Sequence, residues 1–314
     1  MPLHIETPLI QSRALSRRAD KTVWLKLDAL QPTGSFKLRG IGAACEAHKR
    51  EGRTRFVSSS GGNAGLAAAY AGRLLGVPVT VVIPRSTPAA MKALLEQEGA
   101  TVIVHGAVWS EANEAAHELL DAQSAFLHPF DDPLVWTGHA SLIDEVVRAG
   151  AAFDAVILSV GGGGLLSGVA EGLERNGLSR VPIVAVETEG ADCLAQAMTT
   201  GVHRPLAQIT SVATSLGANM VCQHAFDVAL RRNVRSVVVS DLEALDACEQ
   251  FLLDHRVLVE PACGASLAAL YSSRRRHWLE DVRSPLVVVC GGATVTLDKI
   301  AAWKAAATTR QKIA

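Results

Sequence analysis

The 314-residue sequence has few aromatic residues, no excess of charge of either sign and no long apolar run. Lys and Arg number 30 against 31 Asp and Glu, so the charge balance favours neither nucleic acid nor an anionic membrane as a partner. No apolar run reaches 18 residues, and charged residues interrupt the first thirty positions, which argues against a membrane span and a signal peptide. We therefore expect a soluble cytoplasmic protein whose partners are small molecules or copies of itself.

Paired cysteines and zinc motifs are also missing. The ten histidines form no HExxH or HxH arrangement, so the sequence has no signature of a zinc site. Hydrophobic residues make up 49% and charged residues 19%, which excludes a disordered chain. The six cysteines have no CxxC spacing, as expected of reduced thiols: Cys45, Cys193, Cys222, Cys248, Cys263 and Cys290.

Short β-branched runs alternate with longer Ala-rich stretches along the whole chain. Strands that are apolar throughout and separated by helices predict parallel sheets covered on both faces, hence an α/β fold. The predicted strands are 56–57, 79–83, 101–104, 155–160, 183–186, 237–239 and 286–289. The predicted helices include 63–75, 88–98, 165–175 and 242–255.

Two turn-rich segments interrupt this alternation, one at 29–34 and one at 129–133. The sequence shows no internal repeat and no low-complexity linker that would mark another boundary. We predict a small domain, residues 30–132, inserted into a larger domain made of residues 1–29 and 133–314.

Four consecutive glycines, 161–164, follow a predicted strand and precede a predicted helix. Free N–H groups at a helix start, with the positive end of the helix dipole, hold a phosphate without Lys or Arg. The loop is neither a Walker A motif nor GxGxxG. A tight turn without a ligand is one alternative. A nicotinamide site is another, because Glu187 ends the next strand, where an acid that binds ribose would lie.

A second loop, residues 58–65 with the sequence SSSGGNAG, also connects a predicted strand to an Ala-rich helix. Hydroxyl groups, an amide and free backbone N–H groups at a helix N-terminus suit a carboxylate ligand. A serine cluster that only caps the helix is the alternative interpretation.

A lysine, Lys37, lies where a turn enters a helix, and alone it is no more than a solvated charge. Four motifs occur in order: GSFKLRG, SSSGGNAG, SVGGGG and VVVCGGA. Together they resemble the pyridoxal-phosphate enzymes of the tryptophan-synthase β fold, most closely the L-serine/L-threonine dehydratases of the serine dehydratase type. The resemblance covers almost the whole chain. It implies two open, twisted, mostly parallel sheets flanked by helices, with the lysine in the small domain.

The resemblance implies pyridoxal 5'-phosphate as the cofactor. Lys37 would form the Schiff base with its aldehyde, with Phe36 against the ring and Ser215 beside it. Asn63 would bond the ring hydroxyl, and Cys290 would face the pyridine nitrogen, although a small buried core residue is the commoner fate of cysteine. The phosphate would be held by the amides of Gly161, Gly162, Gly163, Gly164 and Leu165. The substrate carboxylate would be held by Ser59, Ser60, Gly61, Asn63 and Ala64.

These roles predict a reaction. A freed Lys37 amine is placed to take the α-proton of a bound amino acid. No Asp or Glu lies within the loops, so the cofactor phosphate is the expected acid for the departing hydroxyl. A thiol opposite the ring nitrogen favours β-elimination over transamination. We expect L-serine, and also L-threonine, to yield pyruvate or 2-oxobutanoate with ammonia.

Other activities remain open. Within the same fold they are serine racemase, a threonine-preferring dehydratase and a β-replacement synthase. Outside it, the alternative is a nicotinamide-nucleotide-binding oxidoreductase. The resemblance also implies a homodimer. Because the chain ends soon after its final helix, we expect no appended regulatory domain.

A monovalent cation is the last expectation from the resemblance, because similar dehydratases carry one near the phosphate loop. Glu187 supplies a hard oxygen ligand, although it could instead cap the following helix. The implied potassium ligands are Gly161, Glu187, Ala191, Leu216 and Ala218. Two residues depart from the family pattern, since Gly61 and Ser215 stand where relatives place alanine. A one-methyl change in a pocket alters discrimination by roughly 1 to 3 kcal/mol.

Overall fold

The computed structural model describes residues 2–272 and 278–313. In chain order the strands of these ranges are β1 (Leu9–Gln11), β2 (Trp24–Lys26), β3 (Arg55–Ser58), β4 (Val79–Ile83), β5 (Thr101–Val104), β6 (Ser124–Phe126), β7 (Ala155–Ser159), β8 (Ile183–Thr188), β9 (Val234–Val239) and β10 (Pro285–Val288). The helices are α1 (Arg13–Ala19), α2 (Lys37–Arg50), α3 (Asn63–Leu75), α4 (Ala89–Gln97), α5 (Trp109–Glu118), α6 (Pro133–Arg148), α7 (Gly164–Arg175), α8 (Cys193–Thr200), α9 (Gln223–Arg231), α10 (Asp241–His255), α11 (Pro261–Tyr271) and α12 (Leu297–Ile313).

The strands form two sheets. The larger has the order β1-β2-β10-β7-β8-β9, and the smaller has the order β5-β4-β3-β6. All neighbours run parallel except β1 and β2, which pair antiparallel. The predicted α/β class with two mostly parallel sheets is therefore confirmed.

Central and edge strands differ in burial. All five residues of β7 and all four of β10 are buried, because helices cover both faces of the larger sheet there. By contrast, β5 lies at an edge of the smaller sheet, and three of its four residues are exposed. The coverage expected of the strands is therefore incomplete at β5, at the edge of the smaller sheet.

The smaller sheet takes all four strands between residues 55 and 126, and a hydrophobic cluster joins it to α2 and α3. The turn-rich segment at 129–133 starts α6, where the Asp132 carboxylate accepts the N–H of Leu134 and Pro133 is the first helical residue. α6 packs against both α2 and α7. The domain boundaries at 29/30 and 132/133 stay a prediction.

Within the two described ranges, none of the helices is both long enough and apolar enough to span a bilayer.

Candidate active site

A pocket opens where strands of the larger sheet end, against helices that pack on the smaller sheet. The ends of β7 and β10 meet the start of α2 and α3 there, as expected for parallel sheets, whose ligands bind at the carboxyl ends of the strands. Its empty volume, counted to the open mouth, is about 500 Å³. The polar and cofactor-relevant lining residues are Phe36, Lys37, Asn63, Phe130, Gly161, Gly162, Gly163, Gly164, Leu165, Ser215, Glu260 and Cys290.

The tetraglycine loop presents a row of backbone donors to this pocket. Within the described part of the chain, the N–H groups of residues 161–165 have no protein acceptor. They lie at the N-terminus of α7, whose dipole adds positive potential. Gly163 has a φ of +92°, a conformation that L residues rarely adopt. The loop therefore offers a cradle for an anion such as a phosphate.

The opposite side of the loop is packed by protein. A Cβ atom at position 162 would overlap the Phe130 ring, and one at 164 would lie 2.8 Å from the Phe130 carbonyl oxygen. A Cβ atom at 161 would lie 2.9 Å from the Leu216 Cα. The glycines are thus required by close packing, which holds the N–H row in place. The residues present fit the phosphate of pyridoxal phosphate.

Lys37 is the first residue of α2, and its amine lies in the pocket. The Nζ atom donates to the Pro129 carbonyl at 2.6 Å and lies 5.2 Å from the centre of the Phe36 ring. Burial lowers the pKa of Lys37 to about 8, although Cys290 and Glu260 partly oppose the shift. About a tenth of this amine is therefore neutral, and so nucleophilic, at pH 7.

A buried ionic network fixes the helix that carries Lys37. Arg39 is fully buried and donates to the carboxylates of Asp28 and Glu145 at 2.6 to 2.9 Å. Lys26 contacts Glu145 at 2.5 Å and donates to the Thr7 carbonyl. Burial opposes the charge, but the two carboxylates raise the pKa of Arg39 above its ordinary value. The network joins α2 to α6 and to the segment after β2.

Asn63 and Glu260 form a second polar cluster, inside the pocket. The Asn63 Nδ2 donates to Glu260 Oε1 at 2.9 Å, and its Oδ1 accepts the N–H of Ala293 at 3.0 Å. The Thr294 hydroxyl donates to Glu260 Oε2 at 2.5 Å, and Ser215 adds a further hydrogen bond. Burial raises the pKa of Glu260. The sequence indicated no carboxyl group here, so the premise that led to the cofactor phosphate as the acid is incomplete.

Cys290 follows β10 and lines the pocket near Lys37. A hydrogen bond with the Cys263 thiol and burial hold the pKa of Cys290 well above its usual range. Cys290 is therefore a neutral thiol, which places no negative charge at this end of the pocket.

The residues of the second loop differ in whether they line the pocket. Ser59 is fully buried, and its hydroxyl donates to Asn113 Oδ1 at 2.8 Å. Ser60, Gly61 and Ala64 do not line the pocket that holds Lys37, but Asn63 does. Among the described residues, the N–H groups of Gly61, Asn63 and Ala64 have no protein acceptor. They form a second donor array at the N-terminus of α3.

The residues implied as cation ligands fall into two groups, Glu187 with Ala191 at the end of β8, and Gly161 with Leu216 and Ala218 beside the tetraglycine loop. Glu187 is fully buried and accepts the N–H groups of Leu194 and Ala195, so it caps α8. Burial raises its pKa to about 8. Gly161 packs against Leu216, whose carbonyl accepts the Ala218 N–H at 2.8 Å. Ala191 is tied to the end of β8 through Thr188.

These observations define a site for a phosphorylated aldehyde cofactor, and comparison with known proteins names the class. The chain belongs to the pyridoxal-phosphate dependent enzyme family, whose model matches residues 1–291. This result favours pyridoxal phosphate over a nicotinamide nucleotide at the tetraglycine loop, and it confirms the resemblance seen in the motifs.

Within this family, the chain is similar to proteins whose names refer to serine or threonine. The chain is 46% identical to the human protein named L-serine dehydratase/L-threonine deaminase, over 96% of this chain and 95% of the relative. It is similar to the structure of an L-serine ammonia-lyase from the fungus Rhizomucor miehei, with a TM-score of 0.92, 32% identity and 97% and 99% of the two chains covered. It is also similar to the structure of maize serine racemase, with a TM-score of 0.87, 25% identity and 98% and 94% covered.

Sequence reasoning missed Glu260, Thr294 and Phe130 as site residues. Glu260 had a signal, since it is the only charged residue in the apolar stretch 257–270. A lone charge in such a stretch indicates a buried group with dedicated partners. Thr294 and Phe130 had none, because their positions depend on contacts between distant segments.

Proposed function

We propose that the chain is a pyridoxal-phosphate-dependent ammonia-lyase that converts L-serine, and also L-threonine, to pyruvate or 2-oxobutanoate and ammonia. The observation that carries the proposal is the Lys37 amine, with a pKa of about 8, in one pocket with the tetraglycine N–H row. The 46% identity to a human protein named L-serine dehydratase/L-threonine deaminase supports this substrate class.

The chain's own residues have distinct tasks in this reaction. Bound pyridoxal phosphate supplies the electron withdrawal that acidifies the α-hydrogen of an amino acid. The amides of residues 161–165 would hold its phosphate, and Lys37 would hold its aldehyde. The free Lys37 amine would accept the α-proton of the substrate, and the Pro129 carbonyl, 2.6 Å from its Nζ, would keep the resulting ammonium oriented.

Two further groups select the substrate and the reaction. The N–H groups of Gly61, Asn63 and Ala64 would hold the carboxylate, as a helix N-terminus does for an anion. The neutral Cys290 thiol offers no carboxylate to keep a ring nitrogen protonated, which favours elimination over transamination.

Racemisation of serine is a second candidate, because the structure is similar to maize serine racemase. Cys290 argues against it, since racemases of this fold tend to place serine opposite the ring nitrogen. A chiral assay for D-serine, run beside the pyruvate assay, separates the two activities.

We propose potassium as a second cofactor, at Gly161, Glu187, Ala191, Leu216 and Ala218. Buried Glu187 supports the assignment, because none of the described residues supplies a cationic side chain as its partner. Thermal unfolding in KCl, compared with choline chloride at equal ionic strength, tests the site. Equal melting temperatures in the two salts would contradict it.

The expected homodimer and cytoplasmic location are proposals as well. The homodimer rests on the family resemblance, and the location rests on the charged residues that interrupt the first thirty positions. Sedimentation equilibrium tests the first, and cell fractionation tests the second.

The decisive experiment compares the wild type with Lys37→Ala. The wild-type protein should show a visible absorption band that borohydride abolishes, and it should release pyruvate and ammonia from L-serine. Lys37→Ala should release neither product, while Lys49→Ala, a change at an exposed surface lysine of the same helix, should behave as wild type. A colourless wild-type protein that takes up no added pyridoxal phosphate would overturn the proposal.

A further inference from the structure

Glu260 is the only carboxyl-bearing residue among the described residues that line the pocket. Its side chain is 3% exposed, so the cost of burying it must be offset by hydrogen bonds. Both oxygens are engaged, Oε1 by Asn63 at 2.9 Å and Oε2 by Thr294 at 2.5 Å.

These bonds fix which way the Asn63 amide faces. Its oxygen accepts the Ala293 N–H at 3.0 Å, and its nitrogen donates one hydrogen to Glu260. An amide nitrogen carries two hydrogens, so one N–H remains for the pocket that Asn63 lines. If the amide rotated by half a turn, its oxygen would face the Glu260 carboxylate, and two acceptors would oppose each other.

The chain around Glu260 is shaped for this arrangement. Gly292 has a φ of +135°, and a Cβ atom there would overlap the Glu260 carboxyl. Glu260 immediately precedes α11 and lies 197 residues after Asn63, the first residue of α3. The contact therefore joins a helix of the smaller sheet's layer to the larger sheet's layer.

We propose that Glu260 is a positioning residue that acts through Asn63, forcing the amide to present an N–H, and not its oxygen, to the ring oxygen of the cofactor. The inference rests on the proposed function, because it needs pyridoxal phosphate in the pocket. It goes beyond that function by assigning the orientation of Asn63 to a carboxylate that does not itself touch the cofactor.

The test measures cofactor binding rather than turnover. Apo-protein is titrated with pyridoxal phosphate, and the dissociation constant and the visible absorption maximum of the bound cofactor are recorded. Glu260→Ala should weaken binding about tenfold and move the absorption maximum, because the Asn63 amide is free to turn. Glu260→Gln should stay within about threefold of the wild type, since its amide oxygen can still accept from Asn63.

A double-mutant cycle tests whether the effect passes through Asn63. Glu260→Ala should cost little further affinity in an Asn63→Ala background, because the amide that it orients is gone. Thr294→Val, which removes the donor to Oε2, should weaken binding about threefold in the wild-type background and not in Asn63→Ala. This second variant serves if Glu260→Ala does not fold.

Asp154→Asn provides the matched control. It alters a partly buried carboxylate that accepts two backbone N–H groups just before β7, at the opposite end of that strand from the pocket, so it should lower the melting temperature without moving the absorption maximum. Additive losses in the cycle, or a Glu260→Gln variant as weak as Glu260→Ala, would overturn the inference. A wild-type protein that binds no pyridoxal phosphate would overturn the proposed function instead, so the two failures are distinguishable.

Discussion

Two loops beside Lys37 each connect a strand to a helix and present free backbone N–H groups, but they differ in how tightly the protein packs against their glycines. Both present N–H groups without protein acceptors in the described structure, residues 161–165 at α7 and residues 61, 63 and 64 at α3. Around the tetraglycine loop, a Cβ atom at any of the four positions would meet protein within 3 Å. In the second loop, a Cβ atom at Gly62 would meet nothing within 4 Å and one at Gly61 would meet only side chains, whereas Gly65, inside α3, packs on the Ser60 carbonyl of the loop itself.

The difference corresponds to what each loop must hold. A cofactor that stays bound through many turnovers is best served by donors fixed in advance, since preorganised groups need no rearrangement during the reaction. A substrate that enters and leaves in each cycle needs donors that can adjust. The tightness of packing behind a loop, rather than its number of glycines, distinguishes the loop suited to a cofactor from the loop suited to a substrate.

Adding a methyl group to each loop is the most severe test of this difference in packing. Gly162→Ala drives a Cβ atom into the Phe130 ring, so we expect a loss of about 1 to 3 kcal/mol in stability and at least about tenfold in cofactor affinity. Gly62→Ala is the matched control and should bind cofactor as the wild type does. Thermal unfolding and cofactor titration measure both effects. Equal behaviour of the two variants would show that the packing difference has no consequence.

The reactivity of the Lys37 amine should depend on pH in the way that its lowered pKa predicts. Only the neutral amine is nucleophilic, and a pKa of about 8 makes the neutral fraction rise through pH 8. The rate at which apo-protein captures pyridoxal phosphate should therefore increase about tenfold between pH 7 and pH 9 and then level off. Stopped-flow absorbance measures the rate, with Lys37→Arg as the control. A rate still climbing steeply above pH 9 would indicate an ordinary lysine.

Ser59→Ala tests whether a serine of the second loop supports the loop or binds substrate. Because its buried hydroxyl donates to Asn113, we expect a loss of about 1 kcal/mol in stability and a nearly unchanged KM for L-serine. Chemical denaturation and steady-state kinetics give the two numbers, and Asn113→Ala completes a double-mutant cycle. A raised KM at unchanged stability would support the role that the family resemblance implies.

Gly61→Ala should have the smallest effect. A Cβ atom at this position would lie 2.8 Å from the Thr87 side chain, which can move, so cofactor affinity should not change. The ratio of kcat/KM for L-serine over L-threonine should change about fivefold, which corresponds to about 1 kcal/mol. This value is at the lower end of the discrimination that one methyl group in a pocket provides. Thr87→Ala should restore the wild-type ratio in the double variant. An altered cofactor affinity would mean that this loop is as rigid as the tetraglycine loop.

Local patterns predicted the interior of the fold well. The segments predicted at 63–75, 79–83 and 101–104 coincide with α3, β4 and β5. Their boundaries are set by signals within a few residues, such as the positive-φ Gly76 that ends α3. The short strands β1, β2 and β6 were not predicted, because three residues give no readable period.

The polar contacts of the site could not be predicted in the same way. Motif order placed Lys37, Asn63, the tetraglycine loop and Cys290, and the structure brings all of them into one pocket. The partner of Asn63 lies 197 residues away and that of Ser59 lies 54 residues away. A local sequence pattern carries no information about a partner so far away along the chain. Asn63 and Ser59 are each compatible with their own helix or loop whether or not the partner is present.

The buried network around Arg39 also has a consequence for the order of events during protein synthesis. Arg39 binds Asp28, 11 residues before it, and Glu145, 106 residues after it, so one of its two carboxylate partners is synthesised much later than the other. Helix α2 therefore reaches its full set of contacts only after residue 145 has emerged from the ribosome, when every strand of the smaller sheet is already available. A nascent chain can complete that sheet well before it can fix the lysine intended for the cofactor, so the binding pocket is among the last parts of the molecule to form.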